Sequence, residues 1–436
     1  MQLHIIGLGV AEQAQLSADA LVVLQAADRV IGSERQLETV AGLLGSTPTM
    51  QLPKLAALKE LLTNYANDGV QSVAVLASGD PLYYGIGAWF GRQFSAENLH
   101  FYPAVSSIQA ACHRLGLSLQ DVEVLSLHGR PVEKIRTRLK RNRTLVILTD
   151  KQSTPQVLAQ ECVAAGFAAS TLSVCEALGY SSEQVRTFTA TELAGENTDE
   201  RAELAFDPLH VTVIHVKGVG GVLPEFPGIP DHNFVTDRPN GAGMITKREI
   251  RLSILSLMQL AKGDCVWDIG AGCGGVAVEL AYWNPDSQIH AIEHHADRLR
   301  CLQANREKFG VVSNLNVIAG RAPDALADLP VPDKVFIGGS GGELPGLLTQ
   351  VWELLPEHGV LVASAVTERS KHQLLDFYDA RMKKGDSYSQ TMQLSVSRGD
   401  QLVGQLMYRP TLPVTLFCFH KATVVEDVEH TERVAG

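Results

Sequence analysis

A glycine-rich turn follows a strand-like segment in the C-terminal half, within the sequence VWDIGAGCGGVAVELA. Glycines let the backbone approach a ligand closely, and the helix formers after them place free amides of a helix N-terminus at the same point. We expect a cofactor to be contacted by five loop residues: Gly270, Ala271, Gly272, Cys273 and Gly274. The turn also satisfies GxGxxG, so its glycines alone do not distinguish a nicotinamide cofactor from S-adenosylmethionine.

Three further features accompany this loop. Asp268 stands just before it, Glu293 ends the next strand-like segment, and GRAPDAL, which contains Ala322, follows the third. Together they resemble the motif series of class I methyltransferases. The resemblance implies that Glu293 holds the ribose hydroxyls and that Ala322 also contacts the cofactor. Two alternatives stay open, a solvated strand end for Glu293 and a cap on the loop amides for Asp268.

Two segments flanking this series go beyond the generic pattern, namely MITKREIR upstream and VFIGGSGGEL downstream. They resemble the decarboxylating C15-methyltransferase module of corrin biosynthesis. This implies that Thr246 lies against the cofactor and that Gly339, Ser340 and Gly341 contact the acceptor substrate. The alternatives are a helix N-cap for Thr246 and a flexible surface loop for GGSGG.

A second candidate site lies in the N-terminal half, in VAVLASGDPLYYGIG. Gly-Asp-Pro is also an ordinary turn sequence. The complete motif resembles the tetrapyrrole methylase family, whose fold binds S-adenosylmethionine in a cleft between two α/β lobes. The resemblance implies cofactor contacts from Gly79 and Asp80.

Other matches to this family follow in order along the chain. Ser106 and Ser107 precede a helix-like segment and either contact the cofactor or cap the helix. His128 and Arg130, in SLHGR, come at a strand end and are candidates for binding substrate carboxylates. Structural roles remain the alternative for both. The whole run is similar to C5-methyltransferase members of the family.

Apolar strand-like runs alternate with helical patterns in both halves, which predicts an α/β protein. We expect a two-lobed tetrapyrrole methylase domain over 1–217, a Pro- and Gly-rich linker over 218–243, and a Rossmann-like class I methyltransferase domain over 244–425. Residues 426–436 are predicted to be a disordered tail. Closing strands around 394–407 and 414–420 are expected to pair antiparallel at the edge of the second sheet.

The composition narrows the choice of partners. The chain has 436 residues and a formal net charge of -11, which disfavours nucleic acid. Its seven scattered cysteines form no CxxC pair, so neither a disulfide framework nor a metal site is predicted. No apolar run is long enough to cross a membrane, and a soluble, cytoplasmic protein that forms homo-oligomers is expected.

The order of the two domains resembles the precorrin-6Y C5,15-methyltransferase (decarboxylating) family. Membership implies two S-adenosylmethionine sites, one per domain, and a tetrapyrrole substrate. It implies methylation of precorrin-6B at C5 and C15 with decarboxylation of the C12 acetate, giving precorrin-8 for cobalamin. Aligning the nucleophilic carbon of the substrate with the methyl group of the donor supplies much of the rate acceleration, so no catalytic base is assigned. The alternatives are a cobalt-precorrin substrate, an NAD-dependent oxidoreductase, or a corrinoid-binding scaffold without turnover.

Overall fold

The structure is a computed structural model that describes residues 1–195, 204–239 and 243–422. The chain divides into two compact units, Met1–Val222 and Leu223–Gly436. The tail predicted at 426–436 lies outside the described residues. Within the described ranges, no helix combines the length and apolar character needed to span a bilayer. The cytoplasmic location stays a prediction.

The first lobe of the N-terminal unit is a parallel five-stranded sheet of order β3-β2-β4-β1-β5. Its strands are β1 Gln2–Gly7, β2 Arg29–Gly32, β3 Thr49–Gln51, β4 Ser72–Ala77 and β5 Leu99–Tyr102. Its helices are α1 Ala18–Ala26, α2 Glu34–Val40, α3 Leu55–Asn67 and α4 Gly87–Gln93. Separate apolar clusters use alternate residues of β1, Ile5 in one and Ile6 in the other, so both sheet faces are covered.

The second lobe is a mixed five-stranded sheet of order β6-β7-β10-β8-β9, in which only β6 and β7 pair in parallel. Its strands are β6 Glu123–Ser126, β7 Thr144–Leu148, β8 Thr171–Glu176, β9 Gln184–Thr189 and β10 His210–His215. The helices of this part of the chain are α5 Ser107–Leu115, α6 Pro155–Ala164 and α7 Ala190–Ala194.

The C-terminal unit is built on a seven-stranded sheet of order β13-β12-β11-β14-β15-β19-β16. Its strands are β11 Cys265–Ile269, β12 Gln288–Glu293, β13 Leu315–Ala319, β14 Lys334–Ile337, β15 Val360–Ala365, β16 Ser387–Leu394 and β19 Val414–Lys421. Its helices are α8 Arg248–Met258, α9 Gly275–Trp283, α10 Ala296–Lys308, α11 Leu344–Leu354 and α12 Glu368–Lys384. The first five strands of that order are parallel, as in Rossmann-like folds.

The end of this sheet departs from the predicted arrangement. Val414–Lys421 pairs antiparallel with β15 as expected, but the outermost strand is Ser387–Leu394 rather than 394–407. Residues 397–410 instead form a separate antiparallel ribbon of β17 Ser397–Leu402 and β18 Gln405–Pro410. The expectation for 394–407 was wrong because its polar and apolar residues alternate in the same way in a solvated ribbon and in an edge strand.

The Pro- and Gly-rich segment between the domains belongs partly to the second unit. Ile229 and Phe234 are buried in the core of the C-terminal sheet together with Ile254. The amides of Gly228 and Ile229 donate to the carboxylate of Glu279 on α9 at 2.7 and 2.9 Å. The described residues from Leu223 onward therefore pack on the unit that follows, while the predicted limits of the linker stay a prediction.

Candidate active sites

A cavity of about 790 Å³ opens in the N-terminal unit beside the carboxyl ends of β1 and β4. Four of the expected site residues line it: Gly79, Ser106, Ser107 and His128. Asp80 and Arg130 lie outside this lining. The four expected lining residues come from the loops after β4, β5 and β6, and the remaining lining includes the loop after β1, α2 and the segments after β7 and β8.

Gly79 joins two of these loops. Its amide donates to the carbonyl of Gly9 at 3.2 Å, and the two glycines form an isolated β-bridge. Its φ of +62° favours glycine, and an added Cβ would lie 3.1 Å from the Cα of Ser106. Glycine at this position therefore keeps backbone, rather than side chain, at the cavity surface.

The carboxylate of Asp80 bonds to its own loop through one oxygen and to the amide of Ala104, in the loop after β5, through the other at 3.4 Å. One oxygen accepts hydrogen bonds from the amides of Leu82 and Tyr83, at 2.8 and 3.0 Å. This is the hydrogen bonding expected of aspartate in a turn. The turn interpretation of Asp80 is confirmed, and the predicted cofactor contact has only the shape of the loop to support it.

Ser106 is a helix cap, as one of the two interpretations predicted. Its hydroxyl accepts from the amide of Gln109 at 3.2 Å, and the Gln109 side chain accepts from the Ser106 amide at 2.8 Å. Ser106 is buried, and the adjacent Ser107 begins α5. Ser106 and Ser107 both line the cavity, so the N-terminus of α5 faces it.

The loop after β6 carries the other two N-terminal candidates. A ring nitrogen of His128 lies 3.4 Å from the carbonyl oxygen of Thr149, and the exposed ring reaches the cavity. Arg130 turns back, and its guanidinium donates to the carbonyl of Ser126 at 3.0 Å. The structure brings His128 to the site and leaves Arg130 beside it.

Several polar residues of this cavity were not predicted from the sequence. Arg35 and Gln36 line it, and both donate to the hydroxyl of Ser78, at 3.2 and 3.0 Å. They are held there because Ser33 forms a capping box with Gln36 at the start of α2. The Ser-x-x-Gln spacing was the available signal, since it marks a helix start directly after β2.

A second cavity, of about 670 Å³, lies at the carboxyl ends of β11, β12, β13 and β14 in the C-terminal unit. Most of the expected residues line it: Thr246, Gly270, Ala271, Gly272, Glu293, Ala322, Gly339, Ser340 and Gly341. Cys273 and Gly274 lie outside the lining, because the thiol points to Asp237 at 3.7 Å and an added Cβ on Gly274 would collide with Leu302.

The glycine loop approaches the GGSGG loop too closely for side chains. A Cβ on Gly270 would lie 2.5 Å from the carbonyl oxygen of Gly339, and its φ is +74°. Gly272 has a φ of +59°, and its amide donates to Glu293 at 2.9 Å. These contacts form a backbone cradle that a nucleoside cofactor fits, and any larger residue would fill it.

Glu293 fixes the second wall of this cradle. Oε2 accepts the bond from Gly272, while Oε1 accepts from the amides of His294 and His295 at 2.8 and 2.9 Å. Its side chain is only 3% exposed, so the interpretation of a solvated strand end is wrong. A carboxylate has about four acceptor positions. Three are used by these amides, so about one remains for a hydroxyl group of a ligand.

Asp268 lies under the loop and is 1% exposed. Within the described residues, neither carboxyl oxygen has a hydrogen-bond partner of normal geometry, so the structure does not support the loop-cap interpretation. Burial raises the pKa of Asp268 to about 7, and the negative charge of Glu293 adds to this effect. A carboxyl group whose pKa is close to neutral pH is therefore buried directly beneath the cradle.

Thr246 lines the cavity but does not cap α8. The cap position belongs to Lys247, which makes no side-chain cap bond, so the cap interpretation of Thr246 was wrong. The carbonyl of Thr246 accepts a bond from the guanidinium of Arg251, which is fully buried and pairs with Glu279 at 2.6 Å. A buried ion pair thus holds the backbone of Thr246 at the cavity.

Known proteins match both halves and the whole chain. Residues 2–194 match the model for tetrapyrrole (corrin/porphyrin) methylases, and residues 238–421 match that of a precorrin methyltransferase domain. Precorrin-6Y C(5,15)-methyltransferase [decarboxylating] from Sinorhizobium sp. is 36% identical over 423 residues, 96% of both chains. The protein of that name from Mycobacterium tuberculosis H37Rv is 33% identical over 94% of this chain and 97% of its own.

This chain belongs to the precorrin-6Y C5,15-methyltransferase family. Its fold is accordingly a two-lobed tetrapyrrole methylase domain followed by a Rossmann-like class I methyltransferase domain, as predicted. Among solved structures, precorrin-6y C5,15-methyltransferase from Geobacter metallireducens GS-15 is 32% identical and covers 46% of this chain and 99% of its own, with a TM-score of 0.41.

Members of the precorrin-6Y C5,15-methyltransferase family are methyltransferases, so this chain is an enzyme that uses a methyl donor. The two cavities suit such a donor because each combines glycine backbone with a helix N-terminus. In the described part of the chain, no three acidic, histidine or cysteine side chains come together as metal ligands. The absence of a metal stays a prediction.

Proposed function

We propose that this enzyme methylates precorrin-6B at C5 and C15 and removes carbon dioxide from its C12 acetate, giving precorrin-8 in cobalamin biosynthesis. The observation that carries the proposal is the presence of two separate cavities, one in each unit, in a chain whose full-length relatives are named for both positions. The cavity of residues 1–222 is assigned to C5, and that of residues 223–436 to C15 and the decarboxylation.

S-adenosylmethionine is the proposed methyl donor at both sites, where it supplies a methyl group already activated by the sulfonium. In the C-terminal cavity, Gly270, Gly272 and Ala322 bind it through the backbone, and Glu293 accepts bonds from its ribose. In the N-terminal cavity, the methyl donor is bound by Gly79, Ser106 and Ser107. The residues of both sites bind and orient, since an electron-rich meso carbon needs alignment more than a base.

The loop of Gly339, Ser340 and Gly341 is proposed to contact the macrocycle, as His128 is in the other cavity. In the decarboxylation, the bond between the methylene and the carboxylate breaks, and the electron pair passes into the conjugated ring. One proton then converts the methylene to a methyl group. Partial desolvation of the acetate in this cavity favours the step, because it removes the water that stabilises the carboxylate.

The test is mass spectrometry of precorrin-6B after incubation with the full chain and S-adenosylmethionine. We expect a gain of two methyl groups and the loss of one carbon dioxide. Glu293→Ala is expected to stop after the C5 methylation and Asp80→Ala to spare the C15 reactions, so the two variants accumulate different products. Asp286→Ala, a surface change just before β12, is the control and keeps both reactions.

Three results distinguish the alternatives. An unchanged mass despite bound S-adenosylmethionine, with turnover of the cobalt-containing substrate, would favour the cobalt-precorrin reaction. That substrate class appears in the name of a relative of the C-terminal half, the probable cobalt-precorrin-6B C(15)-methyltransferase (decarboxylating) from Pyrobaculum calidifontis, 38% identical over 176 residues. Cofactor binding with no turnover of either substrate would indicate a scaffold. Binding of NAD instead would refute the proposal.

We also propose that the chain self-associates through the β17–β18 ribbon. Every residue of both strands is exposed, including Leu402, Leu406, Met407 and Tyr408. An isolated two-stranded ribbon is at best marginally stable in water, and exposed apolar patches mark interfaces. A second copy is the suggested partner, because the strands carry two arginines and one aspartate whereas the chain has a net charge of -11.

Light scattering after gel filtration tests this assembly. The wild-type chain is expected to elute as an oligomer, and Leu406→Lys with Tyr408→Lys is expected to shift it towards the monomer because the two new charges repel across the interface. Leu354→Lys, at an exposed apolar position outside the ribbon, serves as the control. A monomeric wild-type protein would contradict the assembly.

A further inference from the structure

One wall of the C-terminal cavity is formed outside the series of motif-bearing loops. Val396, Arg398, Thr411 and Leu412 line it, and all four lie in the segment that links β16 to β19 through the ribbon. In the sheet order, β19 and β16 lie at the opposite end from β12 and β13, whose loops carry Glu293 and Ala322. The ribbon base therefore faces the part of the cavity that the acceptor would occupy.

Arg398 is the charged residue of this wall. Its Nη2 lies 2.6 Å from Oε2 of Glu249 and 3.6 Å from Oδ2 of Asp231. The hydrogen bond with Glu249 raises the pKa of Arg398, so the side chain stays cationic. A guanidinium presents five donors in a planar fork. Among the described residues, the recorded contacts use Nη2 alone, and 46% of the side chain is exposed.

Two other arginines of the cavity are placed differently. Arg321 follows β13, and its Nη2 donates to the carbonyl of Gly341 at 2.6 Å. Arg298 lies on α10 after β12, with its Nε 3.5 Å from Asp237. Both side chains start from the half of the sheet that holds the cofactor loops. Arg398 is the arginine that enters from the opposite half, where carboxylate side chains of an acceptor would lie.

We propose that Arg398 binds a peripheral carboxylate of the acceptor and so determines which edge of the macrocycle faces the methyl donor. This inference rests on the proposed function, because it concerns the substrate of the same cavity. A planar fork pairs with a carboxylate through two parallel hydrogen bonds, which fixes orientation as well as position. Glu249 occupies Nη2 while no substrate is bound, so an incoming carboxylate competes with Glu249 for the guanidinium, and Asp231 at 3.6 Å keeps the side chain at the wall.

The competing explanation is that Arg398 only anchors the ribbon to α8. The two roles predict opposite effects for Glu249→Gln. If Arg398 is an anchor, losing the Glu249 carboxylate loosens the wall and weakens substrate binding. If Arg398 binds the substrate, the change removes a competing carboxylate and strengthens binding. Because both explanations predict harm from changing Arg398 itself, the Glu249 variant separates them.

The experiment measures KM and kcat for C15 methylation of precorrin-6B by full-length variants at saturating S-adenosylmethionine. Arg398→Gln is expected to raise KM about ten- to hundredfold, as the loss of a charge-assisted hydrogen bond does. Arg398→Lys should restore part of the loss, because it keeps the charge without the fork. Glu249→Gln should lower KM by about two- to fivefold.

The ribbon supplies a matched control. Arg409 is the cross-strand partner of Arg398, lies outside the cavity lining and pairs with Asp400 at 3.1 Å. Arg409→Gln is expected to leave KM unchanged, and the C5 methylation, measured in the same samples, should not respond to any of these variants. Thermal unfolding and S-adenosylmethionine affinity confirm that each variant is folded.

Two results would overturn the inference. The first is a KM for Arg398→Gln equal to that for Arg409→Gln, and the second is a rise in KM for Glu249→Gln similar to that for Arg398→Gln. Failure of the proposed function has a different signature, because the wild-type chain would then add no methyl group at C15. A normal wild-type reaction with either overturning result therefore rejects the role of Arg398 alone.

Discussion

Two carboxylates at the C-terminal cavity lie on the neighbouring strands β11 and β12, yet their surroundings suit them to different roles. Glu293 accepts three backbone hydrogen bonds, which fix the position of its carboxylate. Among the described residues, Asp268 has no hydrogen bond of normal geometry, and its burial outweighs the weak contact with the Ala277 amide and favours the protonated form. The first residue is therefore suited to bind hydroxyl groups, while the second is a buried acid whose ionisation opposes folding.

Asp268→Asn tests this difference through the pH dependence of stability. A raised pKa means that the folded chain holds the proton more tightly than the unfolded chain. Wild-type stability is therefore lost as pH rises from about 4 to about 7, and the variant is spared this loss. Across this pH range, we expect the free energy of unfolding of the variant to rise relative to that of the wild type by up to about 4 kcal/mol.

Chemical unfolding of both proteins between about pH 4 and pH 8 measures the gain. Asp286→Asn changes an aspartate whose side chain is 61% exposed and provides the control. Its difference from the wild type should not vary with pH. Parallel stability curves for Asp268→Asn and the wild type would show that Asp268 ionises as readily in the folded chain as in the unfolded one.

Among the elements, the segment before α8 depends on a buried ion pair. Arg251 and Glu279 are both fully buried. Their hydrogen bonds reach Gly228 and Ile229 on one side and Thr246 on the other. Arg251 also pairs with Asp231 at 3.1 Å, and Asp231 lies beside Arg398. The packing of one segment thus extends from the core to both walls of the C-terminal cavity.

Glu279→Gln should destabilise the C-terminal unit by about 3 kcal/mol, because it leaves Asp231 alone to offset the charge of the buried Arg251 guanidinium. Lys262→Gln removes an exposed ion pair with Asp286 and should cost less than about 1 kcal/mol. Calorimetric scans of the full chain measure both changes. Equal effects of the two substitutions would mean that solvent reaches Arg251.

The sequence predicted these elements where the signal was local. Cys265–Ile269 was expected as a strand and is β11, and the serine before α5 was recognised as a possible cap. The ribbon and the position of Arg398 were not predictable, because the contact with Glu249 joins residues 149 positions apart. The role of Asp80 was open for a different reason, since a turn and a ligand loop can have identical local sequences.

At the scale of the whole molecule, each unit has its own sheets, apolar clusters and cavity. All residues lining the first cavity come from the N-terminal unit, and all those lining the second come from the C-terminal unit. A defect in one cavity is therefore expected to leave ligand binding in the other unchanged.

Titration calorimetry with S-adenosylmethionine checks this independence. The wild-type chain is expected to bind two equivalents, and Glu293→Ala one, because the substitution removes the anchor of the C-terminal loop while the N-terminal cavity is untouched. Asp286→Ala should retain both equivalents. Loss of all binding in Glu293→Ala would show that the two sites are coupled.

The tip of the ribbon has a consequence for protein engineering. Val403 and Gly404 form its two-residue turn with φ values of +52° and +77°, and Val403 is 95% exposed. Left-handed backbone disfavours a β-branched residue, whereas Asn-Gly is the pair that such turns prefer. Val403→Asn should therefore stabilise the hairpin by about 1 kcal/mol and make its tip polar. A single substitution would therefore stabilise the hairpin and remove an exposed apolar side chain from its tip.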